Sequence, residues 1–246
     1  MDSLTSHVSI RNFKNEPVPE ELISQLLNSG IRASTTGNMQ WYSIIVTSEP
    51  VLKAELAKLH YNQSAAVTAP VIITFCADIY RFSQWCVINN AKPGYDNFIS
   101  FFNAAVDAIL VAQNFCIAAE NAGLGICYLG TVTYNSSEIV HLLDLPEMVV
   151  PVASVALGWP VSIPELTERL PLDMVIHNNR YKERTSEEIS KAYKEKENLD
   201  SSRNFVRENN KESLAQVFTD IRYNKKDNEY FSARFLDAIR SQGFDI

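Results

Sequence analysis

Apolar residues recur along this chain with two different periods, and the switches between them mark out its elements. Behind the carboxylates Glu20 and Glu21, which suit the positive end of a helix, Leu22, Ile23, Leu26 and Leu27 stand at helical spacing until Gly30 ends the run. After a polar loop over 34–38, the β-branched and aromatic stretch 41–47 (WYSIIVT) predicts a strand, and Pro50 leads into a helix over 51–59. The run 70–77 (PVIITFCA) is apolar almost throughout, which predicts a strand buried on both faces at the centre of a sheet. From 97 to 122, Phe101, Ala105, Ala108, Ile109, Ala112, Phe115, Cys116 and Ala119 cover much of a long, Gly-free helix, the expected core helix. Gly123 and Gly125 close it. A strand over 126–129, a helix over 131–143 and a further buried strand over 149–160 complete the apolar part.

From about His177 the pattern changes. Residues 181–230 hold 11 Lys/Arg against 11 Asp/Glu and no proline, the composition of exposed helices laced by i,i+4 pairs. Such helices are expected to clasp a second subunit; disorder is the competing reading, and the aromatics from Tyr181 to Phe235 argue against it for most of the segment. The whole reads as a single domain over 1–246, with a core to about 177 and a helical extension over 178–246.

Composition narrows the function classes. With 22 Lys+Arg against 29 Asp+Glu over 246 residues, the net charge of −7 disfavours nucleic acid as the main partner. A hydrophobic share of 46% with 21% charged residues is that of a globular protein. Cys76, Cys86, Cys116 and Cys127 form no C-x-x-C pair and sit mostly in apolar runs, so they read as buried thiols of a reducing compartment, the cytoplasm by expectation. The first residues lack a basic and apolar leader, and no run of about 18 uninterrupted apolar residues predicts a membrane span.

Three segments carry candidate chemistry. In the stretch S-H-V-S-I-R-N-F, alternation with Val8 and Ile10 points His7, Ser9 and Arg11 to one side, either as a phosphate- or polyol-binding face or as the wet face of an ordinary strand. Three of only eight glycines fall in G-L-G-I-C-Y-L-G. Its spacing and its place between helix and strand differ from the dinucleotide fingerprint. A helix cap and strand entry explain Gly123 and Gly125, whereas Gly130 suits close backbone approach to a planar ligand. Prolines at 160, 164 and 171 stiffen the loop around Arg169, which then binds an anion or pairs with Glu165 or Glu168. No G-x-S-x-G, H-E-x-x-H or Walker sequence occurs, and His60, His141 and His177 read as surface or half-buried histidines without metal-ligand spacing. Carboxylate pairs such as Glu187-Glu188 are solvated charges, so neither acid–base hydrolysis nor a metal centre is expected.

Taken in order, S-H-x-S-I-R-x-F, R-A-S-T-T-x-x-M-Q, F-C-A-D, A-x-x-A-E-N-A-G-L-G-x-x-Y-L-G, L-G-W-P and E-R-L-P resemble the flavin-dependent nitroreductase superfamily, in particular its NADPH-preferring oxygen-insensitive nitroreductases and flavin reductases. The resemblance runs from about Ser6 to Tyr181. It implies an α+β fold with a mostly antiparallel central sheet flanked by helices, and a homodimer holding FMN. The phosphate and ribityl chain fall by the same resemblance to His7, Ser9, Arg11 and Arg169, with Thr35 and Gln63 contributing. Tyr128, Leu129, Gly130 and Thr131 line the isoalloxazine edge, the Gly130 amide near N5. The implied reaction passes hydride from NADPH or NADH through N5 to a nitroaromatic, quinone or free flavin, both substrates using one site in ping-pong order. No side-chain acid or base is required. Two departures stand out: Val8 and Thr167 replace an arginine and a lysine common in the family, each a lost contact of about 1–3 kcal/mol. They motivate an alternative, a flavin-binding protein with little turnover. A thiol-dependent enzyme is the weaker third reading. Arg203 and Arg207 are the candidates for the extra phosphate of NADPH.

Overall fold

The computed structural model describes residues 3–246. In chain order the elements of the apolar part are α1 (Ser3–Ser6), α2 (Glu20–Gly30), β1 (Tyr42–Thr47), α3 (Pro50–Leu59), α4 (Ser64–Thr68), β2 (Val71–Asp78), α5 (Tyr80–Ile88), α6 (Phe98–Asn121), β3 (Gly125–Tyr128), α7 (Ser136–Leu142) and β4 (Val149–Gly158). The four strands form one antiparallel sheet in the order β1-β2-β4-β3. The expected α+β architecture is therefore present, and every pairing within the four-stranded sheet is antiparallel.

β2 lies inside the sheet and is buried at every position, which its largely apolar run requires. Successive side chains leave it on opposite faces. Val71, Ile73 and Phe75 pack with Phe115, Ala112 and Val111 of α6, whereas Ile72 meets Leu56, Ala65 and Ala66 of α3 and α4. α6 is long and apolar enough to span a bilayer, but half of that stretch is buried inside this unit. Midway along it, Asp107 is almost wholly buried and accepts hydrogen bonds from Thr36 N (2.8 Å), Thr36 Oγ1 (3.1 Å) and Trp41 N (3.4 Å). A charge in that position ties the 36–41 loop to the core helix.

The chain forms two compact units. One runs to Glu165 and regains the chain at Phe231–Ile246; the other is Leu166–Tyr230. In the first, the end of the chain returns to the core: Ile239 and Phe244 pack in a cluster with Trp41, Ala77, Ile79 and Phe101, and Asp245 bridges Asn97. In the second, helices follow as expected for the polar segment, α8 (Leu172–Val175), α9 (Ser186–Asn198), α10 (Asp200–Glu208) and α11 (Leu214–Gln216), then a π-helical turn Val217–Arg222. α9 buries none of its residues and starts at a capping box, Thr185 with Glu188. The last helix, α12 (Lys225–Ser241), begins there.

One expected element is replaced. Instead of a helix over 131–143, the chain makes a 3₁₀ turn at Gly130–Val132 and starts α7 only at Ser136. The side chains of Thr131 and Asn135 explain the delay, because both turn inward: Thr131 Oγ1 lies 2.8 Å from His60 Nδ1, and Asn135 Nδ2 donates to Leu59 O at 2.6 Å.

Gly125 does more than start a strand. A methyl group built on it would lie 2.5 Å from Ile10 Cγ1 and 2.8 Å from Ile10 Cβ, so the missing side chain lets the 7–13 segment press against β3. Ile10 N donates to Ile126 O at 2.9 Å across the same contact. Gly125→Ala is expected to cost about 2 kcal/mol through overpacking. Chemical denaturation should show the loss, and a Gly123→Ala control separates it from simple strain, since Gly123 has φ +82° but open space around it.

Candidate functional site

The alternation read in the first segment is realised. Val8 and Ile10 are buried in an apolar cluster with Leu129 and Val132, while His7, Ser9 and Arg11 lie on the outer side. Position 8 thus faces the core, an environment that suits valine and would strand a cation. His7 is held by Glu120 of α6, with Nδ1 and Oε1 2.6 Å apart. Arg11 is exposed and has no hydrogen-bond or ion-pair partner among the described residues. It is near enough to Cys127 to oppose the rise that burial causes in that thiol's pKa.

A second element abuts this face. Ser64 Oγ donates to Asn12 Oδ1 at 2.5 Å, which sets the turn 60–64, and exposed Gln63 within it, beside the segment. Tyr61 and Asn62 both take left-handed backbone there, φ +55° and +50°. Such a pair of non-glycine residues is held only where the surroundings dictate it. Asn62 N donating to Ala57 O and Gln63 N donating to His60 O supply part of that hold.

The third element is the exit from β3. Leu129 N donates to Ser154 O at 2.8 Å, and the side chains of Leu129 and Thr131 are buried. Gly130 between them is exposed, and a methyl built on it meets nothing within 4 Å. Its backbone is therefore presented bare, between two residues whose side chains point away. Tyr128 is partly exposed, its hydroxyl 3.5 Å from Gln113 Oε1. Of the four residues expected along a ring edge, Leu129 and Thr131 can offer only main chain, because their side chains are committed inward.

Hydrogen bonds and packing thus bring together His7, Ser9, Arg11, Gln63 and 128–131. Thr35 stands on another loop, the one anchored to Asp107, and no described hydrogen bond joins that loop to the three elements. In the second unit, Arg169 forms neither of the two ion pairs expected as its ordinary fate. Its Nη1 donates to Thr167 Oγ1 (2.7 Å), Glu168 O (3.0 Å) and Thr167 O (3.3 Å), while the Glu168 carboxylate pairs with Lys196 at 3.3 Å. Arg169 thereby borders a cavity of about 190 Å³ with Leu170, Tyr193 and Lys196. Thr167 fixes the guanidinium where a lysine would compete with it. Arg203 and Arg207, one helical turn apart on α10, donate to Asn198 and Asn204 respectively.

His60 corrects the reading of the histidines. It is fully buried, neither surface nor half-buried, and burial lowers its pKa to about 4. Its Nε2 has no hydrogen-bond partner among the described residues. The sequence offered no signal for this, since the neighbouring Tyr61 and Asn62 are polar and exposed. Glu120 was visible only as part of A-E-N-A-G, with nothing to tie it to His7. The thiols do stand as read: all four are free and buried, Cys116 pushed up to about 12 by burial and Cys76 raised further still, so neither is a ready nucleophile.

The donor set fits FMN. A guanidinium, an imidazole and a hydroxyl share the outer side of one extended segment, as a phosphate and polyol require, and bare backbone at Gly130 suits the close approach of a flat ring. Comparison with known proteins agrees with that chemistry. Residues 4–159 match the Nitroreductase family. An FMN reductase (NADPH) of Bacillus subtilis is 35% identical over 189 residues, covering 76% of each protein. An oxygen-insensitive NADPH nitroreductase of Salmonella typhimurium is 33% identical over 181 residues, covering 74% of each. Among solved structures, a Bacteroides fragilis protein superposes with a TM-score of 0.97 and 47% identity, with 100% of both chains covered.

Proposed function

The chain belongs to the nitroreductase family, and from that membership we propose that it is an FMN-dependent NAD(P)H oxidoreductase acting on nitroaromatics, quinones or free flavins. The observation that carries the reading is the junction of the His7, Ser9 and Arg11 face with the bare Gly130 backbone, stitched together by Ile10, Gly125 and Ser64. FMN, when bound, supplies the hydride chemistry. The chain's own residues bind and orient it.

Arg11 would offset the phosphate charge, His7, Ser9 and Gln63 would hold the phosphate and ribityl oxygens by hydrogen bonds, and the bare Gly130 backbone would lie along the ring edge. Arg169, pinned by Thr167, is the candidate phosphate ligand of the second unit, and the Arg203–Arg207 pair its candidate for the extra phosphate of NADPH. Thr35 is kept as a polar contact from the loop that Asp107 anchors. Donor and acceptor use the same face in turn, so initial-rate plots should be parallel lines. The free, buried thiols support a cytoplasmic setting.

We also assign a homodimer. Phe98, Ile99, Phe102, Val106, Ile109 and Leu110 form an exposed apolar stripe along the outer side of α6, on the helix that organises the core. A stripe of that length left in water is the mark of an association surface. Light scattering should give the mass of two chains, and Phe102→Glu should shift it toward one.

The function itself is tested by the absorption of purified protein. A flavin band that NADPH bleaches under anaerobic conditions, followed by NADPH-driven reduction of a nitro compound, is the expected result. Colourless protein that takes up no added FMN would overturn the proposal.

A further inference from the structure

We propose that His60 is a positioning residue for the flavin, acting through Thr131 to fix the bare Gly130 backbone relative to the turn that carries Gln63; this role rests on the FMN reading of the site. Both His60 and Thr131 are buried, they lie 71 positions apart in sequence, and His60 Nδ1 and Thr131 Oγ1 are 2.8 Å from each other. His60 also serves the other side of the junction, because its carbonyl accepts Gln63 N at 3.2 Å. One residue therefore ties the turn 60–64 to the exit from β3, and these are the two elements that flank the His7–Arg11 face.

The neighbouring contacts reinforce the tie. Asn135 Nδ2 donates to Leu59 O, so Thr131 and Asn135 fasten the loop 130–135 to residues 59 and 60, while Thr133 Oγ1, donating to Gly130 O, braces the loop from within. Yet the arrangement is a poor one for stability alone. Whichever tautomer His60 adopts, Nε2 is left buried without a partner among the described residues, a cost that an aliphatic side chain would avoid. A leucine opposite a valine would fill the same space with no orphaned atom. What the apolar pair would lose is the directional link between the two loops. Holding a backbone amide at a defined place before the ligand arrives is worth affinity and, where the ligand's charge changes on reduction, redox poise.

The decisive variant is the double replacement His60→Leu with Thr131→Val. Removing both partners leaves no unsatisfied atom behind, so a merely structural pair would be lost with little change. The expected result is an apo protein that melts at or above the wild-type temperature but binds FMN about tenfold more weakly, with a displaced flavin midpoint potential. His60→Asn, which keeps a hydrogen-bonding group near the Nδ1 position, should retain wild-type affinity and potential. Should the double variant fail to fold, Thr131→Val alone removes only the hydroxyl; it should melt lower, because His60 Nδ1 is then orphaned, and carries the same expectation for FMN affinity and midpoint potential. Arg11→Ala is measured beside them: if wild type binds no FMN, or Arg11→Ala binds it as tightly as wild type, the FMN reading of this face fails. If Arg11→Ala weakens binding while the Thr131 variants bind FMN and poise it like wild type, the His60 inference alone is overturned.

Discussion

Arg11→Ala is expected to raise the FMN dissociation constant about 100-fold, with the protein still folded. The side chain is exposed and makes no hydrogen bond or ion pair among the described residues, so its removal leaves no buried group unsatisfied. Its guanidinium is therefore available to an anion. A charge-assisted, bidentate contact to a phosphate is worth ~1.5–3 kcal/mol, and the upper part of that range corresponds to a 100-fold change. Arg11→Lys should recover only part of the affinity, because an ammonium cannot present the paired donors. Arg169→Ala is expected to act in the same direction. Fluorescence titration of apo protein with FMN measures all three, and full flavin occupancy in both alanine variants would refute the assignment. High salt should narrow the gap between wild type and variant, since the lost term is electrostatic and exposed.

The second large effect concerns acid. His60 has its pKa lowered from 6.5 to about 4 by burial, so the unfolded chain takes up its proton at a higher pH than the folded one. Above about pH 6.5 the residue is neutral in both states and contributes no pH dependence. As pH falls from 6.5 toward 4 the unfolded state gains protons that the folded state refuses, and stability is lost by ~3 kcal/mol. Below about pH 4 both states are protonated and the loss levels off. At ~2–4 °C of melting temperature per kcal/mol in a chain of this size, the effect is about 10 °C. Carboxylates titrate in the same window, so the informative quantity is the difference between wild type and His60→Asn. The variant's stability should fall less steeply between pH 6.5 and 4, as followed by thermal melts in matched buffers. Parallel profiles would show that His60 does not titrate as its burial demands.

Much of the frame was legible because it depends on local period. The run 71–78 is buried on both faces because apolar residues fill both sides of it apart from Thr74 and the terminal Asp78, and the 7–11 alternation survives because an extended chain has only two sides. α6 could be read from its length and its apolar circumference. What period cannot report is a contact between distant segments. Nothing local to His60 announces Thr131, 71 residues away, and nothing local to His7 announces Glu120, 113 residues away. The helix expected over 131–143 failed for the same reason: Thr131 and Asn135 look like tolerable helix residues until their side chains are claimed by His60 and the end of α3. Arg169 was read correctly as constrained, but by prolines alone, whereas Thr167 and two main-chain carbonyls hold it. The candidate flavin face was legible as motifs. Its assembly was not, because it depends on Gly125 yielding its space to Ile10.

The path of the chain has a practical corollary. Because Phe231–Ile246 rejoins the core unit, residues 166–230 form an excursion tethered at both ends and not a tail. A protease cutting within that excursion would leave two fragments that still share one hydrophobic interior through Ile239 and Phe244. They should therefore co-purify as a nicked but intact particle. Deleting residues 238–246 should be far more damaging than the nick, because the short piece removed carries both of those interior side chains.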